Sequence, residues 1–74
     1  MATNRIFINT EKWQGCFDAT DFHLMSSLSY FTVPGGNICE LFRLMGEGVV
    51  DSINTNFDGS MRIGIKTEYI TEIK

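Results

Sequence analysis

The C-terminal third of the chain alternates between apolar and polar residues in two runs that flank Asp58-Gly59. Successive side chains of a β-strand point to opposite faces, so each run places one largely apolar row on one face. The two rows are Val49, Asp51, Ile53, Thr55 and Phe57 before the turn, and Met61, Ile63, Ile65, Thr67, Tyr69, Thr71 and Ile73 after it. This alternation predicts an antiparallel β-hairpin that runs from Val49 through Ile73.

The register of this hairpin depends on the length of its loop. A two-residue turn at Asp58-Gly59 would set polar side chains opposite apolar ones. A three-residue loop over residues 58–60 instead pairs Phe57 with Met61, matches the two faces, and leaves Gly59 free to take a positive φ. We therefore predict the three-residue loop. The second strand outruns its partner, so residues 69–73 must pair either with the N-terminal strand or with another chain.

The N-terminal half mixes strand and helix signals. Residues 5–9 are apolar and rich in β-branched side chains, which predicts a first strand, and residues 13–17 could return beside it. Asp18 then resembles a helix N-cap. An apolar stripe at i, i+4 and i+7 follows it and predicts a helix: Leu24, Leu28 and Phe31. Residues 29–33 also have strand composition, so the sequence leaves open whether they are helical or extended.

The clearest helix signal follows Pro34. Asn37 can cap a helix with Glu40 three residues later, and Gly46 and Gly48 provide the C-terminal stop. Apolar residues recur with helical spacing at Ile38, Leu41, Phe42 and Met45. Together these elements predict an α+β fold, in which a small antiparallel sheet carries one or two helices packed on one face. The sheet would combine the N-terminal strand with the long C-terminal hairpin.

Length and composition add a constraint on stability. The 74 residues, 43% of them hydrophobic, are enough for a single domain, residues 1–74. A domain of this size buries only about 60% of the surface of its unfolded chain, so its core stabilises it by a few kcal/mol. Self-association would bury more apolar surface, and we expect a homodimer.

The charge pattern argues against two classes of partner. The chain has six basic and nine acidic residues, for a net charge of −3, and the basic residues are scattered along the sequence. A nucleic-acid footprint requires several cations on one surface, so we do not expect a nucleic-acid partner. We also expect no membrane association and a cytoplasmic location, since no signal peptide or long apolar stretch is visible.

The candidate chemistry is sparse. Cys16, His23 and Cys39 are isolated from one another, whereas zinc sites use closely spaced pairs of ligands and thiolate catalysis requires a base in contact with the thiol. No triad, acid–base pair or cofactor motif stands out. We therefore expect no catalytic residues, no metal and no cofactor, and we expect that the protein is not an enzyme.

The aromatic residues carry the remaining hypothesis. Nine aromatic side chains are many for so small a domain, and Trp13 and Tyr30 are the two that we expect to be partly exposed. Exposed aromatic side chains are favoured anchors of protein–protein interfaces, although a Trp at a turn can also fold back as a lid on the core. The sequence thus predicts a non-catalytic interaction module that binds another protein through Trp13 and Tyr30. It would be a small acidic adaptor or an inhibitor of the kind found in phages and mobile elements. The alternative is a small DNA-binding regulator with a winged-helix-like arrangement of helices and hairpin.

Overall fold

Six antiparallel strands and one short α-helix make up the part of the chain that the computed structural model describes, residues 4–35 and 38–74. In chain order they are β1 (Asn4–Asn9), β2 (Gln14–Leu24), β3 (Leu28–Val33), α1 (Ile38–Gly46), β4 (Val50–Thr55), β5 (Met61–Lys66), a 3₁₀ turn (Thr67–Tyr69) and β6 (Ile70–Ile73). The strands lie in the order β4-β5-β3-β2-β1-β6. The fold is therefore mainly β.

The predicted fold class is wrong on this point. The expectation was a small sheet with one or two helices packed on one face, whereas a six-stranded antiparallel sheet dominates the described residues and carries one short helix. The reason is the long strand β2, which occupies the segment that we assigned to the first helix.

Strand β2 bends so that it serves two ladders. Its first half, residues 14–19, pairs with β1, and its second half pairs with β3. Between them the chain holds one extra residue, because Thr20 and His23 are three apart on β2 while their partners on β3 are two apart. Asp21 lies in this bulge with φ 51°, in the left-handed region that Asp tolerates better than most residues.

The bulge changes which residues of β2 face the core. Before it, the buried side chains are Phe17 and Ala19, and after it Phe22 packs against the core near Phe31, with ring centroids 6.1 Å apart. Because the apolar positions change from odd to even numbers at the bulge, the segment lacks the strict alternation that marks a strand. For this reason the sequence predicts a helix there. In the predicted helical stripe Phe31 is fully buried, but Leu24 is 56% exposed. Residues 29–33, which the sequence left open, are extended.

The helix α1 confirms the predicted element but not its buried face. The predicted cap residue, Asn37, lies outside the described residues. Leu41 and Leu44 are fully buried, whereas Phe42 and Met45 of the predicted stripe are 58% and 41% exposed. The helix rests on β4 through a face rotated from the one that the spacing suggested.

The end of α1 is set by backbone bonds around a glycine. The Val49 N–H donates to the Leu44 carbonyl at 3.0 Å, and the Gly48 N–H donates to the Met45 carbonyl at 3.1 Å. Gly48 has φ +80°, so the pair of bonds forms a Schellman cap with glycine in the left-handed position. The predicted glycine stop is confirmed, and its geometry assigns the stop to Gly48.

The β4–β5 hairpin has a three-residue loop, as predicted, but the loop lies one residue earlier. Thr55 pairs with Met61 and Ile53 with Ile63, so the loop comprises residues 57–59 and the predicted Phe57–Met61 pair is wrong. Gly59, at φ +88°, takes the third loop position, where three-residue loops require a left-handed residue. From Ser52 to Thr55 the faces still match because both registers preserve parity, whereas a bulge at Asp51 brings Val50, which lies outside the predicted row, opposite Ile65.

Strand β6 settles the pairing that the sequence left between two alternatives. It pairs with β1, with Ile6 opposite Ile73 and Ile8 opposite Ile70. The strands and α1 share one apolar core, whose buried side chains are Ile6, Ile8, Phe17, Ala19, Phe31, Val33, Leu41, Leu44, Val49, Val50, Met61, Ile63 and Ile65. The one described helix has nine residues, too few to cross a membrane.

Candidate functional site

Trp13, the first predicted site residue, packs onto the core at the β1–β2 turn. Its indole stacks on Phe17 with ring centroids 5.8 Å apart, and it covers Gly15 so closely that a Cβ there would lie 2.5 Å from the indole. Thr10 fixes the turn, because its hydroxyl accepts the Trp13 N–H at 2.9 Å and its own N–H donates to the Trp13 carbonyl at 2.8 Å. Trp13 is half-buried in this position.

Tyr30, the second predicted site residue, lies on the outer face of the sheet formed by β2, β3, β5 and β4. Its neighbour Phe31 points into the core, and Tyr30 is half-buried on the opposite side. The ring lies over Gly64 of β5, where a Cβ would approach Tyr30 Cε1 to 2.9 Å and Ser52 Oγ to 2.6 Å. The Tyr30 ring can pack against the neighbouring strand at this position because Gly64 has no side chain.

The structure does not bring these two residues together. Trp13 immediately precedes the first residue of β2, and Tyr30 pairs with His23 near the last one. They lie toward opposite ends of an 11-residue strand. Trp13 and Tyr30 therefore do not lie on a single surface.

Phe57 is a site residue that sequence reasoning missed. The loop register leaves it in the turn rather than in the strand, where the whole residue is fully exposed, at 113% of the reference accessible surface, the largest value among the exposed large apolar residues of the described chain. The signal was Gly59: had the glycine been placed third in the loop instead of second, Phe57 would have been expected in the turn.

Side-chain hydrogen bonds hold the loop that presents Phe57. One Asp58 carboxylate oxygen accepts the Ser60 hydroxyl at 2.6 Å and the Ser60 N–H at 2.9 Å. The Asn56 amide donates to the Ser60 hydroxyl at 3.0 Å, and the Asn56 N–H donates to the Ser60 carbonyl at 2.8 Å. The two bonds from Ser60 stabilise the charged form of the Asp58 carboxylate and so lower its pKa from the ordinary value. The bond from the hydroxyl has the larger effect, and the bond from the backbone N–H the smaller.

An open groove of about 570 Å³ lies beside Phe57. It is bordered by the β2 bulge, the end of β3 and the β4–β5 turn, through Thr20, Asp21, Thr32, Pro34, Asn56, Phe57, Asp58 and Ser60. The turn abuts the segment that leaves β3, because a Cβ on Gly35 would lie 2.7 Å from the Gly59 carbonyl oxygen. The β4–β5 turn and the segment after β3 thus approach each other closely beside the groove.

Arg62 links the groove to the sheet. Its Nη1 donates to the backbone carbonyl of Asp21 and, at 2.9 Å, to the hydroxyl of Thr32. Thr32 borders the groove and lies two residues from Tyr30 on the same face of β3, about 7 Å along the strand. We group Tyr30 and Thr32, which share this face of β3, with the groove residues Asp21, Phe57 and Asp58, and name the group the Tyr30–Phe57 surface.

The metal and thiol hypotheses of the sequence concern Cys16, His23 and Cys39. No three His, Cys, Asp or Glu side chains of the described residues are placed to share a metal ion. Cys16 and Cys39 are exposed free thiols. Cys16 lies opposite Phe7 in one ladder and His23 opposite Tyr30 in the other, so the register does not pair this thiol with the imidazole.

No protein-family model, no curated protein and no solved structure matches this chain.

Proposed function

We propose that the protein is a non-catalytic interaction module that binds another protein through the Tyr30–Phe57 surface. The observation that carries this proposal is the full exposure of the Phe57 ring on a turn held by hydrogen bonds. Burying a Phe side chain is worth about 1.5–3 kcal/mol, so a partner pocket that received this ring would gain most of that free energy. An ordered loop also loses little conformational entropy on binding.

Tyr30 supports the proposal as a second aromatic contact. Its ring is fixed over Gly64 and presents both an apolar face and a hydroxyl, the combination that interfaces favour. Trp13 packs on the core at the far end of β2 and is not part of this surface. A small acidic adaptor or an inhibitor of the phage type would each use such a surface.

The test compares four tagged proteins as baits in a lysate of the native host: wild type, Phe57→Ala, Tyr30→Ala and Leu24→Ala. Leu24 is the control, because it is also a large exposed apolar residue but does not border the groove and pairs with Ser29, whose side chain points to the face of β3 opposite that of Tyr30. We expect wild type and Leu24→Ala to retain one stoichiometric protein. Phe57→Ala should bind it about 30-fold more weakly, corresponding to about 2 kcal/mol, and Tyr30→Ala should weaken binding less.

Thermal unfolding checks that each variant is folded. Phe57→Ala should match wild type in Tm, since the ring contributes no buried surface. The proposal is wrong if folded Phe57→Ala and Tyr30→Ala baits both retain every protein that wild type retains.

Nuclease treatment of the same lysate tests the alternative, a DNA-binding regulator. That hypothesis required a pair of helices, and residues 4–35 and 38–74 hold one α-helix. Loss of bound partners after nuclease treatment, or salt-dependent binding of the purified protein to DNA, would favour the regulator.

A further inference from the structure

The groove beside Phe57 carries two carboxylates without cationic partners among the described residues. Asp21 and Asp58 both border it and are exposed. The ion pairs of the described chain lie elsewhere: Arg5 with Asp18, Arg43 with Glu40 and Glu47, and Lys74 with Glu72. The carboxylates of the groove are thus free to meet a cation from outside.

Arg62 is the cation beside the groove, and its guanidinium is already engaged. It donates to the Asp21 carbonyl and to the Thr32 hydroxyl, both uncharged acceptors. Two carboxylates against one guanidinium leave the groove with a net negative charge. The protein as a whole has the same sign, with a net charge of −3, so a positively charged occupant is attracted at long range as well.

Two of the other six residues that line the groove are apolar. The Phe57 ring and Pro34 lie beside the two carboxylates, with threonine and the polar turn residues completing the wall. Arginine and lysine side chains match this combination, since an aliphatic stem can lie on apolar surface while the charged head stays with acidic groups. A cation close to the face of an aromatic ring gains a further attraction.

We infer that the groove receives an arginine or lysine side chain of the partner protein. Its stem packs on Phe57 and Pro34, and its charged head binds Asp21 and Asp58. The inference rests on the proposed function and specifies the chemistry of the partner: a protein with a basic residue beside the pocket that takes Phe57.

Two tripeptides provide the first probe: acetyl-Leu-Arg-Leu-amide and the same peptide with citrulline, the neutral isostere of arginine. Each is titrated at low salt into ¹⁵N-labelled protein. We expect the arginine peptide to shift the amide signals of Asp21, Thr32 and residues 57–60 at millimolar concentration, and the citrulline peptide to shift them at least 10-fold less. The effect should weaken as salt is raised.

A charge-matched pair of double variants separates the groove from general acidity. Asp21→Asn with Asp58→Asn removes the two groove charges, while Asp51→Asn with Glu68→Gln removes two exposed charges elsewhere, and each changes the net charge from −3 to −1. Asn at position 58 can still accept the Ser60 bonds that hold the turn. We expect the first variant to lose the arginine-peptide shifts and the second to keep them.

Three results would overturn the inference: no groove shift with the arginine peptide, equal shifts with citrulline, or shifts that both double variants lose equally. The captured partner then distinguishes this inference from the proposed function. If Phe57→Ala weakens partner binding while the Asp21/Asp58 variant binds as wild type, the interaction surface stands and the basic residue is excluded. If neither Phe57→Ala nor Tyr30→Ala weakens partner binding, the proposed function itself fails.

Discussion

Gly59 decides where Phe57 lies. A three-residue hairpin loop requires left-handed backbone at its third position, and Gly59 occupies that position at φ +88°. The loop therefore comprises residues 57–59, and an aromatic residue that could have ended a strand is exposed in a turn instead. The sequence contained enough information to locate this site residue, because glycine marks the left-handed position. Tyr30 was predicted as partly exposed, and its seat over Gly64 depends on a strand pairing that the sequence does not reveal.

The pKa of Asp58 reports on the hydrogen bonds that Ser60 donates to its carboxylate. Ser60→Ala removes the hydroxyl bond, the largest cause of the lowered pKa, so the pKa should rise toward the ordinary 3.8. It should remain slightly below that value, because the Ser60 N–H still donates. A ¹³C NMR titration of the Asp58 carboxyl measures the change, and Ser52→Ala serves as the control that leaves it unaltered. An unchanged pKa in Ser60→Ala would contradict the hydrogen-bond network.

The same shift has a defined effect on stability. Because folding lowers the pKa of Asp58, its stabilising contribution is complete above the ordinary carboxyl pKa of 3.8 and is lost as the pH falls through the lower folded value. The difference in unfolding free energy between wild type and Asp58→Asn should therefore shrink under strongly acidic conditions.

Among the elements, those with local signals were the predictable ones. The first strand, helix α1 and the β4–β5 hairpin are marked by periodicity, glycine stops and turn residues that lie within a few positions of one another. The predicted continuous strand from Met61 to Ile73 was wrong, because the 3₁₀ turn Thr67–Tyr69 separates β5 from β6. Strand β2 was mistaken for a helix because its bulge at Asp21 moves the apolar positions from odd to even numbers. The buried face of α1 was also missed, since Leu44 rather than Met45 turns inward to meet the core.

Two glycines two residues apart test the helix end. Gly48 has φ +80°, so Gly48→Ala forces an ordinary side chain into left-handed backbone, and we expect a loss of about 1–2 kcal/mol of unfolding free energy. Gly46 lies within the helix, and a Cβ at that position would meet nothing within 4 Å, so Gly46→Ala should be neutral or stabilise by up to about 1 kcal/mol. Chemical denaturation measures both. Equal losses in the two variants would exclude the Schellman cap as the reason for glycine at position 48.

At the scale of the whole molecule, pairing between distant segments gives the fold its form. Strand β2 pairs with β1 through its first half and with β3 through its second half, and β6 pairs with β1. Neither pairing depends on residues that are neighbours in the sequence, so no local pattern indicates it. For this reason the sequence left open whether residues 69–73 pair within the chain or with another chain. The interaction surface is a product of the same long-range order, because it combines β2, β3 and the β4–β5 turn.

The β1–β6 ladder has a consequence for how the protein folds. Ile6 pairs with Ile73, 67 positions away (73 − 6), whereas Ile63 pairs with Ile53 across a short loop. Closing so large a loop costs more chain entropy than closing a hairpin, so the transition state should contain the hairpin and lack the β1–β6 ladder. Ile73→Ala, at a half-buried site, should then speed unfolding about 10-fold and leave the folding rate nearly unchanged, while Ile63→Ala should slow folding. Stopped-flow measurements on the two variants would show whether the last strand to be paired also governs how long the native state persists.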